Sequence, residues 1–266
     1  MAVVDLDTLV KKADQLRHKA KVDQAIAAYL EVARVAGDEL PTKGYALHMA
    51  GVSAKQSVVD KNSPYYRDAF GYFVQAEGIF KQLNDAVNLG NLYRDMAIIA
   101  DYADDFSRAP GFFQKSLDAL SHTEAYANQA ITYDKLGLHH YLRGDYHSAL
   151  QFIDKGLSLF QRDPTRAGFW RATTLYDKAR VLFKLNRLDE AVSLGREALS
   201  WFEADHEGET YQRRLAQLHG FLAVTLSELS ALKQAKEHYQ KYQRLLKSFD
   251  HAAQAVIRQE LEELTR

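Results

Sequence analysis

From Arg143 to Phe160 the chain reads RGDYHSALQFIDKGLSLF, a polar turn followed by apolar residues at steps of three and four: Tyr146, Ala149, Leu150, Ile153 and Leu157. Those steps place side chains on one face of an α-helix. The same period recurs along the whole chain. Alternation of apolar and polar residues, the mark of a half-buried strand, forms no convincing run. Four prolines and fourteen glycines in 266 residues leave long stretches without a breaker. The pattern predicts an all-α protein.

The predicted helices come in copies. Ala149 follows Gly137 by twelve residues, and the same interval separates Ala191 from Ala179, Ala109 from Ala97, Ala235 from Ala223 and Ala25 from Ala13. In a sixth pair, Ala50 and Ala69, the interval grows to nineteen, with the surplus in VVDKNSPYYRD. That surplus predicts an insertion within 51–68, either a binding loop or an elongated turn. Two antiparallel helices cross closely only where the side chains at the crossing are small. Larger residues fill the remaining space: Tyr29, Phe73, Phe113, Ile153 and Tyr239 stand four after the second alanine. A helix pair of this kind cannot bury its faces alone, so the copies must stack.

At this point the chain resembles the tetratricopeptide repeat family. Gly137, the turn Gly144-Asp145-Tyr146, Ala149 and Leu150 carry the resemblance best, and Asn186-Arg187-Leu188, Ala191 and Ala198 carry it well. The resemblance implies a right-handed α-solenoid of six helix hairpins plus a C-terminal capping helix, forming one superhelical domain over 1–266. The copies are expected at about 5–40, 42–84, 86–121, 123–163, 167–205 and 210–249, with the capping helix at 250–265. The second alanines are 44, 40, 40, 42 and 44 residues apart, whereas the family's usual period is about 34. That longer period is similar to the repeat domains of bacterial peptide-sensing regulators, of kinesin light chains and of large bacterial transcription activators. Every segment is absorbed by the array, so no helix-turn-helix, ATPase core or kinase is expected.

Local signals agree with this division. Pro41 and Pro164 mark boundaries between pairs, Ser63-Pro64 reads as a helix start, and Ser107 reads as a cap with Pro110 in the first turn behind it. In HAAQAVIRQELEELTR, Ala253, Val256, Ile257, Leu261 and Leu264 form one apolar stripe, as a capping helix needs.

Composition removes several function classes. The net charge is −1, which argues against a general nucleic-acid or membrane-surface binder. No cysteine is present, so thiolate metal sites, disulfides and cysteine nucleophiles are excluded. The N-terminus lacks a basic flank before an apolar stretch, and no apolar run approaches the ~20 residues of a membrane span. A cytoplasmic location is the expectation. The histidines His139, His140 and His147 are read as polar or partly buried residues rather than ligands, because adjacent helical residues point about 100° apart. His206-Glu207-Gly208-Glu209 reads as a solvated connector. No glycine loop for phosphate and no triad spacing occurs, so no cofactor, metal or catalytic residue is expected and the protein is read as no enzyme. The aromatic run PYYRDAFGYFVQAEGIF falls mostly at core spacing, with Tyr65 and Tyr66 freer to face a partner.

In the family, function lives on the groove lined by the first helix of each pair. Positions two and three before the small residue, and one and five after it, rotate away from the pair's own core. The resemblance then implies a partner-binding groove containing Asn91, Arg94, Asp95 and Tyr102 in the third copy. The fourth adds Asp134 and Lys135, with Tyr141 at the margin; the fifth Tyr176, Asp177, Arg180 and Lys184; the sixth Phe221. Charges of both signs mixed with tyrosines suit an extended peptide or a helix of a partner protein. The lysine–asparagine clamp of chaperone-tail binders is not reproduced. The expected function is a non-enzymatic interaction scaffold, with a signalling-peptide or small-ligand sensor acting on a separate effector as the alternative. Phe221 and Val224, near Tyr239 and Tyr242, make the C-terminal end a candidate homodimer contact.

Overall fold

The computed structural model describes residues 5–19, 21–58, 60–204 and 208–265. Among them lie thirteen α-helices and no strand. Twelve form consecutive antiparallel pairs: α1 (Leu6–His18) with α2 (Val22–Ala36), α3 (Leu40–Ala54) with α4 (Pro64–Gln82), α5 (Ala86–Tyr102) with α6 (Ala109–Leu120), α7 (Tyr126–Leu142) with α8 (Tyr146–Phe160), α9 (Pro164–Lys184) with α10 (Leu188–Glu203), and α11 (Glu209–Glu228) with α12 (Leu232–Leu246). α13 (His251–Thr265) follows. No helix among the described residues is long and apolar enough to cross a membrane. The His206-Glu207 part of the predicted connector lies outside the described residues.

Four of the turns inside the pairs share one conformation. Asp104, Gly144, Asn186 and Ser230 each stand five residues before a second alanine, and their φ angles are 55°, 76°, 58° and 59°. In each turn the next amide reaches back to the last turn of the first helix: Asp105 to Ala100, Asp145 to His140, Arg187 to Leu182 and Ala231 to Leu226, all at 2.9–3.0 Å. This is the left-handed helix stop that satisfies orphan carbonyls. Glycine enters it freely and Asn or Asp at modest strain, whereas Ser230 meets the full steric cost. All four prolines sit in first turns, of α3, α4, α6 and α9, where a missing N–H costs little. Ser107 does not cap α6. Arg108 holds that position, and the Ser107 hydroxyl donates instead to Asp105.

The small residues act as the spacing requires. A Cβ at Gly137 would lie 2.6 Å from Ile153 Cγ1 and 3.0 Å from the Ala149 carbonyl oxygen, so α7 and α8 nearly touch backbone to backbone. Tyr29, Phe73, Phe113 and Ile153 are fully buried. Tyr239 departs from that set at 48 % exposed; Tyr242 takes the place beside the first helix, its ring against Gly220. The predicted insertion is in part helix: α3 runs to Ala54 and a single 3-10 turn covers Lys55–Ser57.

The packing divides the chain within α7 into two compact units, Met1–Lys135 and Leu136–Arg266. The core of the first gathers Tyr29, Phe73, Phe80, Leu92 and Met96. That of the second gathers Leu182, Phe202, Leu218, Phe221 and Leu264.

Candidate functional site

In the first unit, the first helices α3, α5 and α7 bring one polar strip together. His48 on α3 faces Asp95 on α5 across 2.8 Å. Arg94 donates to the Asn91 side-chain oxygen at 2.9 Å, and Asn128 on α7 donates to the same oxygen at 2.8 Å. Lys55 stands over the Tyr102 ring at 5.4 Å, within cation–π range. Burial by itself would raise the Asp95 carboxyl, but Arg94 and the hydrogen bond from His48, with Lys55 further off, hold it below its ordinary value. Asn91, Arg94 and Asp95 are half-buried, while Tyr102 is 58 % exposed. Asp134 is buried and pairs with half-buried Lys135 at 2.7 Å. A second cluster lies nearer the N-terminus, where Tyr29 and Tyr45 donate to one oxygen of Asp14 at 2.5 and 3.0 Å.

In the second unit the corresponding face is covered by the chain itself. Tyr176 and Asp177 are buried, and Arg180 is only 9 % exposed. The Arg180 guanidinium lies 4.9 Å from the centre of the Tyr141 ring, 3.3 Å from Asp177 and 3.7 Å from Glu260 of α13. Glu260 also accepts from the Tyr176 hydroxyl at 3.1 Å and from the Gln217 amide. Lys184 donates to the backbone carbonyl of Glu263 at 3.0 Å. Leu261 rests where Gly220 leaves room. Burial, with Glu260 next, pushes the Tyr176 hydroxyl well above its ordinary value. Burial works against the Arg180 charge, yet Glu260, Tyr176 and Asp177 together hold it protonated.

Phe221 is no groove residue. It is 0 % exposed and packs edge-on to Tyr176 and Phe183. A Cβ at Gly195 would lie 3.0 Å from its ring, so Phe221 fills the space where the other copies carry a large residue four after the alanine. Phe221 and Tyr242 are buried and Val224 packs on the core, while Tyr239 keeps 48 % of its surface exposed. Tyr66 is likewise committed inside the protein, donating to Asp105 at 2.8 Å, and Tyr65 donates to Asp23 at 2.7 Å. Of the three histidines, His139 is buried, His140 meets Asp145 at 3.1 Å and His147 is exposed.

Several participants were missed. His48 and Lys55 stand two before and five after Ala50, so the same helical rule extended to the second copy reaches them. Gln217 stands six before Ala223, as Asn91 does before Ala97. Nothing in the sequence points to Glu260 as their partner.

Residues 128–204 match the family model of the tetratricopeptide repeat, and these are the two copies with the strongest turn and alanine pattern. A search of curated proteins finds no match. Among solved structures, BtubC from P. vanneervenii superposes with a TM-score of 0.69 at 14 % identity, over 92 % of each chain. A signal transduction ATPase with numerous domains and a tetratricopeptide repeat sensor, from Pyrococcus horikoshii, gives 0.68 at 14 % identity over 96 % of this chain and 38 % of that one. The apo form of RapI gives 0.60 at 12 % identity, over 95 % of this chain and 79 % of that one. Likeness at such identities speaks for the fold alone. Residues 128–204 thus carry the tetratricopeptide repeat pattern, and helix pairs of the same build lie on both sides of them.

Proposed function

We propose that the protein is a non-enzymatic scaffold that holds a peptide or helix of a partner protein against the first helices of its first unit, around Asn91, Arg94, Asp95 and Tyr102. The carrying observation is the connected strip itself. Its amide and charged groups are fixed by one another, at 2.8–2.9 Å, and beside them stands an exposed tyrosine. Preordered polar groups set register at little entropic cost, and an aromatic supplies area. The tetratricopeptide fold serves in general as a platform for protein partners, which agrees with this reading.

The test compares capture from native extract by wild type and by an Arg94→Glu, Tyr102→Ala variant whose helical circular dichroism is unchanged. A partner retained by wild type and lost by the variant supports the strip as the site. The same proteins on both overturn it. For the purified pair, small-angle scattering at saturation separates the two ligand readings: added mass without a change of shape supports the scaffold, and compaction the sensor.

A further inference from the structure

α13 is built poorly as a free helix. Three of its last six residues are Glu260, Glu262 and Glu263, and no basic residue lies in its last turn. Negative charge at that end opposes the helix dipole, and fifteen residues alone are marginal in water. Its apolar face is thin: Ile257 and Leu264 are buried, Ala253 and Leu261 half-buried, and Val256 is 52 % exposed.

The face beneath it supplies what the helix lacks. Lys184 brings a positive charge to a carbonyl of its last turn. Arg180, flanked by the Tyr141 and Tyr176 rings, receives Glu260 together with Tyr176 and Gln217. Arg214 donates to the Gln217 oxygen at 3.0 Å, which turns the amide nitrogen toward Glu260. The space left between helix and seat is about 10 Å³, no more than one water occupies. Complementarity here is specific in both charge and shape, although the helix itself is weak.

We propose that this face of the second unit, on α9 and α11, is a binding seat for an amphipathic helix of a partner protein that presents a glutamate to Arg180, and that α13 is its resident occupant, displaced when the partner binds. The inference extends the scaffold reading to the second unit. Its test uses residues of that unit alone, so its failure leaves the Asn91–Tyr102 reading untouched.

The experiment has two arms on the full chain. Hydrogen exchange of the wild type should show the amides of α13 opening about 100-fold faster than those of α11, as a locally released segment does. Exchange of α13 in step with α11 would make it integral core and end the proposal. In the second arm, a labelled peptide of residues 249–266 is titrated into wild type and into an Ile257→Asp chain, whose own α13 is unseated. The peptide should bind the Ile257→Asp chain about ten-fold more tightly, because the seat is vacated, and a peptide carrying Glu260→Lys should lose that gain. Equal affinity for both chains, or binding indifferent to the Glu260→Lys change, overturns it. Should the Ile257→Asp chain not fold, the exchange arm decides alone.

Discussion

The first helices of the two units carry similar residues at equivalent helical positions, and their faces end differently. Asn91 and Asp95 of the first unit bond to neighbours on adjacent first helices, Arg94 bonds to Asn91, and all three keep an edge in solvent. Asp177, Arg180 and Gln217 of the second unit are sealed under α13. The same charge has different consequences in the two settings. At a half-buried edge water can replace a lost partner, whereas beneath a helix it cannot.

The largest expected effect breaks the comparison at its centre. Arg180→Gln leaves Glu260 and Asp177 without their guanidinium in a dry site, and should cost about 3 kcal/mol. Arg94→Gln removes a hydrogen bond at a wetter site and should cost about 1 kcal/mol. Urea titrations separate the two, because both tryptophans, Trp170 and Trp201, lie in the second unit. Their fluorescence reads that unit, while circular dichroism reads both. Equal costs would show that the covered face is no drier than the open one.

Acid should sharpen the same contrast. His219 on α11 faces His238 on α12 at 2.9 Å, with Lys241 and Glu203 close by. Burial, then the charges of His238 and Lys241, lowers His219 from 6.5 to about 4. Above pH 6.5 the ring is neutral folded or unfolded, and stability is complete. As pH falls from 6.5 toward 4, the unfolded chain takes a proton that the native site refuses, so stability drops. At about 1.4 kcal/mol per unit the loss is on the order of 3 kcal/mol. The Asp95 carboxyl of the first unit lies below its ordinary value of 3.8, so its contribution is kept above that pH and lost only further down. The tryptophan-reported urea midpoint should therefore fall between pH 7 and pH 5 while His219→Asn flattens it. A midpoint unchanged over that range would contradict the buried neutral pair.

The smallest effect concerns the turns. Ser230→Gly should gain about 0.5 kcal/mol by relieving a left-handed backbone, and Gly144→Ala at the equivalent turn should cost about 1 kcal/mol. Thermal melts of the two variants should move in opposite directions. Shifts of the same sign would mean that the four turns do not share one local balance.

Much of this was legible because it is local. A small residue twelve before an alanine, a turn residue five before it and a large residue four after it all act within one helix pair. Asn91, Arg94 and Asp95 could be assigned to one face because α5 has one phase. Phe221 obeyed the same phase and still went inward, since the deciding fact was the absence of a side chain at Gly195, on another helix.

By itself the sequence determined the all-helical pairing, the register of the copies and the side of each first helix that turns from its own partner. Those depend on helical period and on contacts a few dozen residues apart at most. Only the tertiary structure decided that α13 lies over α9 and α11, where Tyr176 meets Glu260 across 84 positions of sequence. No periodicity reports such a contact, because a thin apolar stripe and a few glutamates can be a solvated cap or a bound helix. The choice falls to the charges and the space that the distant surface offers.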